Sequence, residues 1–119
     1  MLAAAEGDWP TALQRTKTAL QINHALGERR NMPLQLHTAA EVVMNLGDLD
    51  LAGRLMGSAD GLLEKLPIHY WASDQKPLQR FREMIAKRVP PDRLARLRQE
   101  GAALSLEEAI LRVLGFNPS

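Results

Sequence analysis

The stretch Gly47-Asp48-Leu49-Asp50-Leu51-Ala52 repeats Gly7-Asp8-Trp9-Pro10-Thr11-Ala12 at a spacing of about 40 residues, within the range of helical arrays. The match runs on past the turn: Ala12, Thr16 and Ala19 of the first unit align with Ala52, Met56 and Ala59 of the second. Glycine can adopt the left-handed conformation that ends one helix, and the aspartate oxygen can cap the next. Pro10 then falls in a first helical turn, where a missing N–H costs little. These signals predict helices over 8–27 and 48–65, each entered through a tight turn.

Between the two lies a third predicted helix, 33–46, opened by Pro33 after the break Gly27-Glu28-Arg29-Arg30-Asn31. Leu36, Ala39, Ala40 and Val43 recur on one face of it, and with the helix after Gly47 it makes an antiparallel αα-hairpin. A loop over 66–73 carries Pro67, His69, Tyr70 and Trp71. Ser73 or Asp74 is placed to cap a further helix, with Pro77 in its first turn and Leu78, Phe81, Ile85 and Val89 as its apolar stripe. Pro90-Pro91 stops it. A short helix from Asp92 to about Glu100 turns Leu94 and Leu97 inward and is ended by Gly101. Ser105 and Glu108 form a capping box for the last helix, which buries Leu106, Ala109, Ile110 and Val113.

Composition agrees with an all-α reading. The chain has 119 residues, enough for one domain with a modest core. Its apolar residues, 45% of the total with few aromatics, are mostly Leu, Ala, Met and Ile, and no stretch alternates as a half-buried strand would. There is no cysteine, which excludes disulfides and thiolate metal sites and is compatible with a cytoplasmic location. No run approaches a membrane span and the N-terminus does not read as a signal peptide. A formal charge of +1 gives no global attraction to nucleic acid or acidic lipid.

The aligned units resemble tetratricopeptide repeats. The first helix of a hairpin is represented by Leu36, Ala39, Ala40 and Val43, the turn by Gly7-Asp8-Trp9 and Gly47-Asp48-Leu49, and the second helix by Ala12, Thr16, Ala19 and Ala52, Met56, Ala59. Small residues there let helix axes approach closely. The period is longer than the usual 34, Thr16 stands where a bulky residue is normal, and no proline closes the repeats. Residues 51–114 resemble a narrower context. Arg54-Leu55-Met56-Gly57-Ser58-Ala59-Asp60-Gly61-Leu62-Leu63, a proline-containing loop, a basic helix and Glu100-Gly101-x-x-Leu104-Ser105-Leu106-Glu107-Glu108-Ala109-Ile110 look like the C-terminal end of bacterial STAND-type signalling ATPases. These include LuxR-type transcriptional regulators and multidomain proteins with a nucleotide-cyclase domain, whose catalytic and DNA-binding motifs lie elsewhere. The resemblance implies a tetratricopeptide-like solenoid over 1–65, capping helices over 66–119, and a chain that is one domain of a longer protein. The first recognisable helix is the second half of a hairpin, leaving Trp9, Ala12 and Ala19 partly uncovered. A homodimer through that N-terminal edge is therefore an expectation.

No chemistry-bearing constellation emerges. His24, His37 and His69 fit no metal motif, and His37 with Glu41 reads as a solvated or hydrogen-bonded pair on one helix face. His69 beside Tyr70 and Trp71 reads as an aromatic loop over the hairpin end. Asp48/Asp50 and Glu107/Glu108 sit in first turns, where the helix dipole favours them. Neither a P-loop nor a nucleophile elbow is present. The expectation is a non-catalytic regulatory or scaffold module, without cofactor or metal. It would bind a protein partner or other domains of its parent chain through Gln35, His37, Thr38 and Glu41. The alternative is a nucleic-acid-binding module acting through the basic segment 76–98, with Arg80, Lys87, Arg88, Arg93 and Arg96. A helix-turn-helix over 92–114 is disfavoured, because Glu107 and Glu108 would stand where a recognition helix meets phosphates.

Overall fold

The computed structural model describes residues 7–65 and 72–118, with the backbone alone for 72–74. Among them are six helices and no strand: α1 (Trp9–Ala25), α2 (Met32–Asn45), α3 (Leu49–Lys65), α4 (Ala72–Arg88), α5 (Pro91–Ala102) and α6 (Leu106–Leu114). None of them is long and apolar enough to cross a membrane.

The repeated turns behave as their chemistry dictates. Gly7 and Gly47 take φ of 79° and 104°. The Asp8 carboxylate accepts the Thr11 amide at 3.2 Å, and Asp48 accepts the Leu51 amide at 2.9 Å. At the end of α2, the Asp48 amide donates to the Val43 carbonyl and the Gly47 amide to Met44. The end of α1 is closed by the same pattern, from Glu28 to Asn23 and from Gly27 to His24. Both are Schellman closures, which satisfy carbonyls that the helix itself leaves unpaired.

Helices α1, α2 and α3 run alternately up and down. Trp9, Ala12 and Leu13 at the start of α1 pack with Val42 and Leu46 at the end of α2. His37 near the start of α2 meets Asp60 near the end of α3. The main core gathers Leu36, Ala39, Ala40 and Val43 of α2 with Ala52, Leu55, Met56 and Ala59 of α3, all buried. Thr16, the departure from the repeat pattern, is also buried, and its hydroxyl donates to the Ala12 carbonyl at 2.8 Å. The polar atom is thereby satisfied inside its own helix.

The second half departs from the sequence reading in two places. Gly101 does not end α5. It lies inside that helix, buried against α3, and the closing position is Ala103. A Cβ on Gly101 would stand 1.8 Å from the Arg54 carbonyl oxygen, and one on Gly57 would stand 2.1 Å from that of Arg98. The two backbones therefore touch directly. Ser58 Oγ donates to the Gly101 carbonyl at 2.7 Å in the same contact. Gly53 faces Leu94 and Leu97, and Gly61 faces Ala102, so α5 runs parallel to α3. The second departure is α4, which starts at Ala72. Ser73 and Asp74 are thus inside its first turn, and Pro77 falls in the second, where it deletes one helical hydrogen bond. Of the loop predicted over 66–73, residues 66–71, with His69, Tyr70 and Trp71, lie outside the described residues, and Ala72 and Ser73 are already helical.

Helix α6 is opened by the expected capping box: the Glu108 amide donates to Ser105 Oγ at 3.1 Å and the Ser105 amide to Glu108 Oε1 at 3.0 Å. It folds back onto α1, α2 and α3. Lys17 donates to the Phe116 carbonyl at 2.7 Å, and Phe116 packs on the Ala12–Leu13–Val42 cluster. Ala12 is fully buried and Trp9 partly so, with cover for α1 coming from Val42 and Leu46 of α2 and from Phe116. The Cα radius of gyration is 13.1 Å, near the roughly 13.5 Å of a compact domain of this length.

Candidate functional site

The most strongly interacting polar cluster centres on Asp60, one turn before the end of α3. Its neighbours Ala59, Leu62 and Met56 belong to the apolar core, so the carboxylate sits at the edge of that core with 18% of its side chain exposed. Donors from three other helices converge on it. His37 Nε2 of α2 lies 3.1 Å from Oδ1. Arg82 of α4 is bidentate, with Nη2 at 2.5 Å from Oδ1 and Nη1 at 3.1 Å from Oδ2. Arg98 Nη2 of α5 lies 2.9 Å from Oδ2. Burial alone would raise the Asp60 carboxyl, but the hydrogen bonds and charge of His37 and Arg82 outweigh it and hold the group well below the ordinary 3.8. A carboxylate kept ionised by three donors is a poor general base. Its effect here is mechanical: it clasps α2, α4 and α5 to α3.

The proposed partner face on α2 lies beside this clasp. His37 is buried and paired with Asp60, leaving Gln35, Thr38 and Glu41 half-buried around it. Thr38 returns its hydroxyl to the Leu34 carbonyl at 3.0 Å. Gln35 Oε1 is buried and has no hydrogen-bond partner among the described residues. Burial raises the Glu41 carboxyl above its ordinary value, with the Arg80 guanidinium of α4 pulling the other way. His37 and Glu41 do not form a metal site with a third ligand: the described residues contain no group of three such side chains.

The basic segment divides by use. Arg82 and Arg98 hold Asp60, and Arg93 holds Asp50. Arg80, Lys87, Arg88 and Arg96 are exposed. A shallow cleft of about 20 Å³, open to solvent, lies where α3, α5 and α6 meet, lined by Ser58, Leu62, Lys65, Leu104 and Leu106. It contains no cluster of titratable groups.

The clasp at Asp60 and the close approach of α5 to α3 at Gly57 and Gly101 are absent from the sequence reading. A signal for them was present. Gly53, Gly57 and Gly61 recur every fourth residue in an otherwise good helix. Each glycine costs a helix about 1 kcal/mol relative to alanine, so three on one face call for a close neighbour. Comparison with protein-family models, with curated proteins and with solved structures finds no match for this chain.

Proposed function

We propose that this chain is a non-catalytic protein-interaction module of tetratricopeptide-like character, which regulates other domains of a bacterial cytoplasmic signalling protein. The observation that carries this reading is the matched pair of glycine–aspartate turns. Each turn opens a helix that packs on α2, α1 in one case and α3 in the other, with small residues at equivalent points, Ala12 with Ala52 and Ala19 with Ala59. The STAND-type resemblance of 51–114 supports the same reading, and so does the character of Asp60, which is tied up in binding helices together. In such a protein the module would couple partner binding to a switch elsewhere by changing how helices pack.

The gene region immediately upstream gives the first test. An in-frame nucleotide-binding domain followed by helical hairpins is the expected finding, and an independent short gene opening at Met1 would overturn the regulator reading. The nucleic-acid alternative draws on exposed Arg80, Lys87, Arg88 and Arg96. A mobility-shift titration at low salt decides it: no retarded band is expected, whereas a band that fades steeply with added salt would favour phosphate contacts.

A further inference from the structure

Helix α4 is attached differently from every other long helix. Of its described residues and the one that follows, only Phe81, Ile85 and Val89 are buried, and they join the core against α2 and α3. Leu78 packs half-buried against the same core, Arg82 adds its ion pair with Asp60, and Pro77 weakens the helix's own ladder. By contrast, α5 is fixed to α3 through backbone contact at Gly57 and Gly101 and through the Ser58 bond. Lifting α4 would therefore leave α5 in place. Asp60 would keep His37 and Arg98 as donors, so the surface beneath would stay electrostatically intact and gain room for one guanidinium.

We propose that the α2/α3 surface beneath α4 is a helix-docking groove, filled in this structure by α4 itself and open to an amphipathic helix of a partner protein. That helix would carry bulky apolar residues at i, i+4 and i+8 and an arginine at i+1, as Phe81, Ile85, Val89 and Arg82 do. This deepens the interaction-module reading and rests on it. Helix-in-groove recognition commonly uses apolar anchors at such spacing, and the partly buried Asp60 supplies the complementary charge. Helix α4 packs on α2, and Arg82 shares Asp60 with His37, so α4 lies beside the α2 residues Gln35, Thr38 and Glu41. The resident helix therefore acts as an autoinhibitory strap, competing at an effective concentration on the order of millimolar.

Hydrogen exchange and a peptide titration test this without any natural partner. In the unmodified chain, amides of 75–88 should exchange at least tenfold faster than those of α2, α3 and α5. Exchange of α4 in step with α2 and α3 would overturn the strap. A fluorescein-labelled peptide spanning 75–90 should bind an Ile85→Ser chain at least tenfold more tightly than the unmodified chain. The same peptide carrying Arg82→Ala should lose at least tenfold. Binding indifferent to either change would overturn the groove. If Ile85→Ser does not fold, exchange in the unmodified chain decides alone. Failure of the upstream-gene test would remove the regulator reading while these two measurements still judged the groove, so the two failures are distinguishable.

Discussion

Helix α3 meets its two largest neighbours in opposite ways. Toward α2 it presents Ala52, Leu55, Met56 and Ala59, and the contact is made by side chains interlocking in a shared core. Toward α5 it presents Gly53, Gly57 and Gly61, and at Gly57 and Gly101 the backbones themselves touch. A side-chain interface can relax by changing rotamers, so volume-conserving exchanges there are tolerated. A backbone interface has nothing to rotate. The α5 side of α3 is therefore the more demanding one, although it contains the smallest residues.

The sharpest attempt to break that contrast is Gly101→Ala or Gly57→Ala. A methyl group at 1.8 or 2.1 Å from a carbonyl oxygen must push two helices apart. We expect a loss of about 3 kcal/mol or more in urea unfolding, at or above the usual upper range for overpacking. Next comes Asp60→Asn, which leaves two guanidiniums and a buried imidazole short of their carboxylate. Removing one member of a fully buried pair costs about 3–5 kcal/mol. Because Arg82 and Arg98 are 36% and 47% exposed and can rehydrate, we expect about 2–3 kcal/mol. The pH dependence follows from the depressed carboxyl: its contribution is complete above the ordinary 3.8 and is lost as pH falls through the lower folded value. The stability gap between wild type and Asp60→Asn should hold near neutrality and narrow below about 3.8, measurable by unfolding at a series of pH values.

Two smaller changes sharpen the comparison. Gly61→Ala lies on the same stripe, yet its Cβ would sit 3.7 Å from Ala102, an ordinary contact. It should raise stability by about 0.5–1 kcal/mol through helix propensity, the opposite sign to Gly57→Ala one turn earlier. Met56→Leu on the α2 side should cost less than about 1.5 kcal/mol, and a thermal melt would separate it from the glycine variants.

The first half of the molecule was legible because its signals are local. Gly47 and Asp48 terminate and cap within a few residues of themselves, so turn chemistry and helix bounds could be read from adjacent letters. The expected spans 33–46 and 48–65 fall within one residue of α2 and α3. The capping box at Ser105 and Glu108 was legible for the same reason. The α3–α5 contact is not local. Gly101 after a helical run looks like a terminator, and only the carbonyl of Arg54, 47 residues away in sequence, gives it another meaning. Asp60 shows the same limit, for its three donors come from α2, α4 and α5. His37 could be paired in the sequence reading only with Glu41, its neighbour one turn on, when its partner in space lies across the hairpin. Pro77 was placed by a rule about first turns, and the helix begins a turn earlier.

The bond from Lys17 to the Phe116 carbonyl joins residues 99 positions apart, and Phe116 completes the cluster around Ala12 and Leu13. A stack of repeats can grow or fray from one end, because each unit leans on its immediate neighbours alone. Here α1 draws its cover both from its neighbour α2, through Val42 and Leu46, and from Phe116, far along the sequence. Loosening of the segment around Phe116 therefore removes support from α1, and loosening of α1 removes support from that segment.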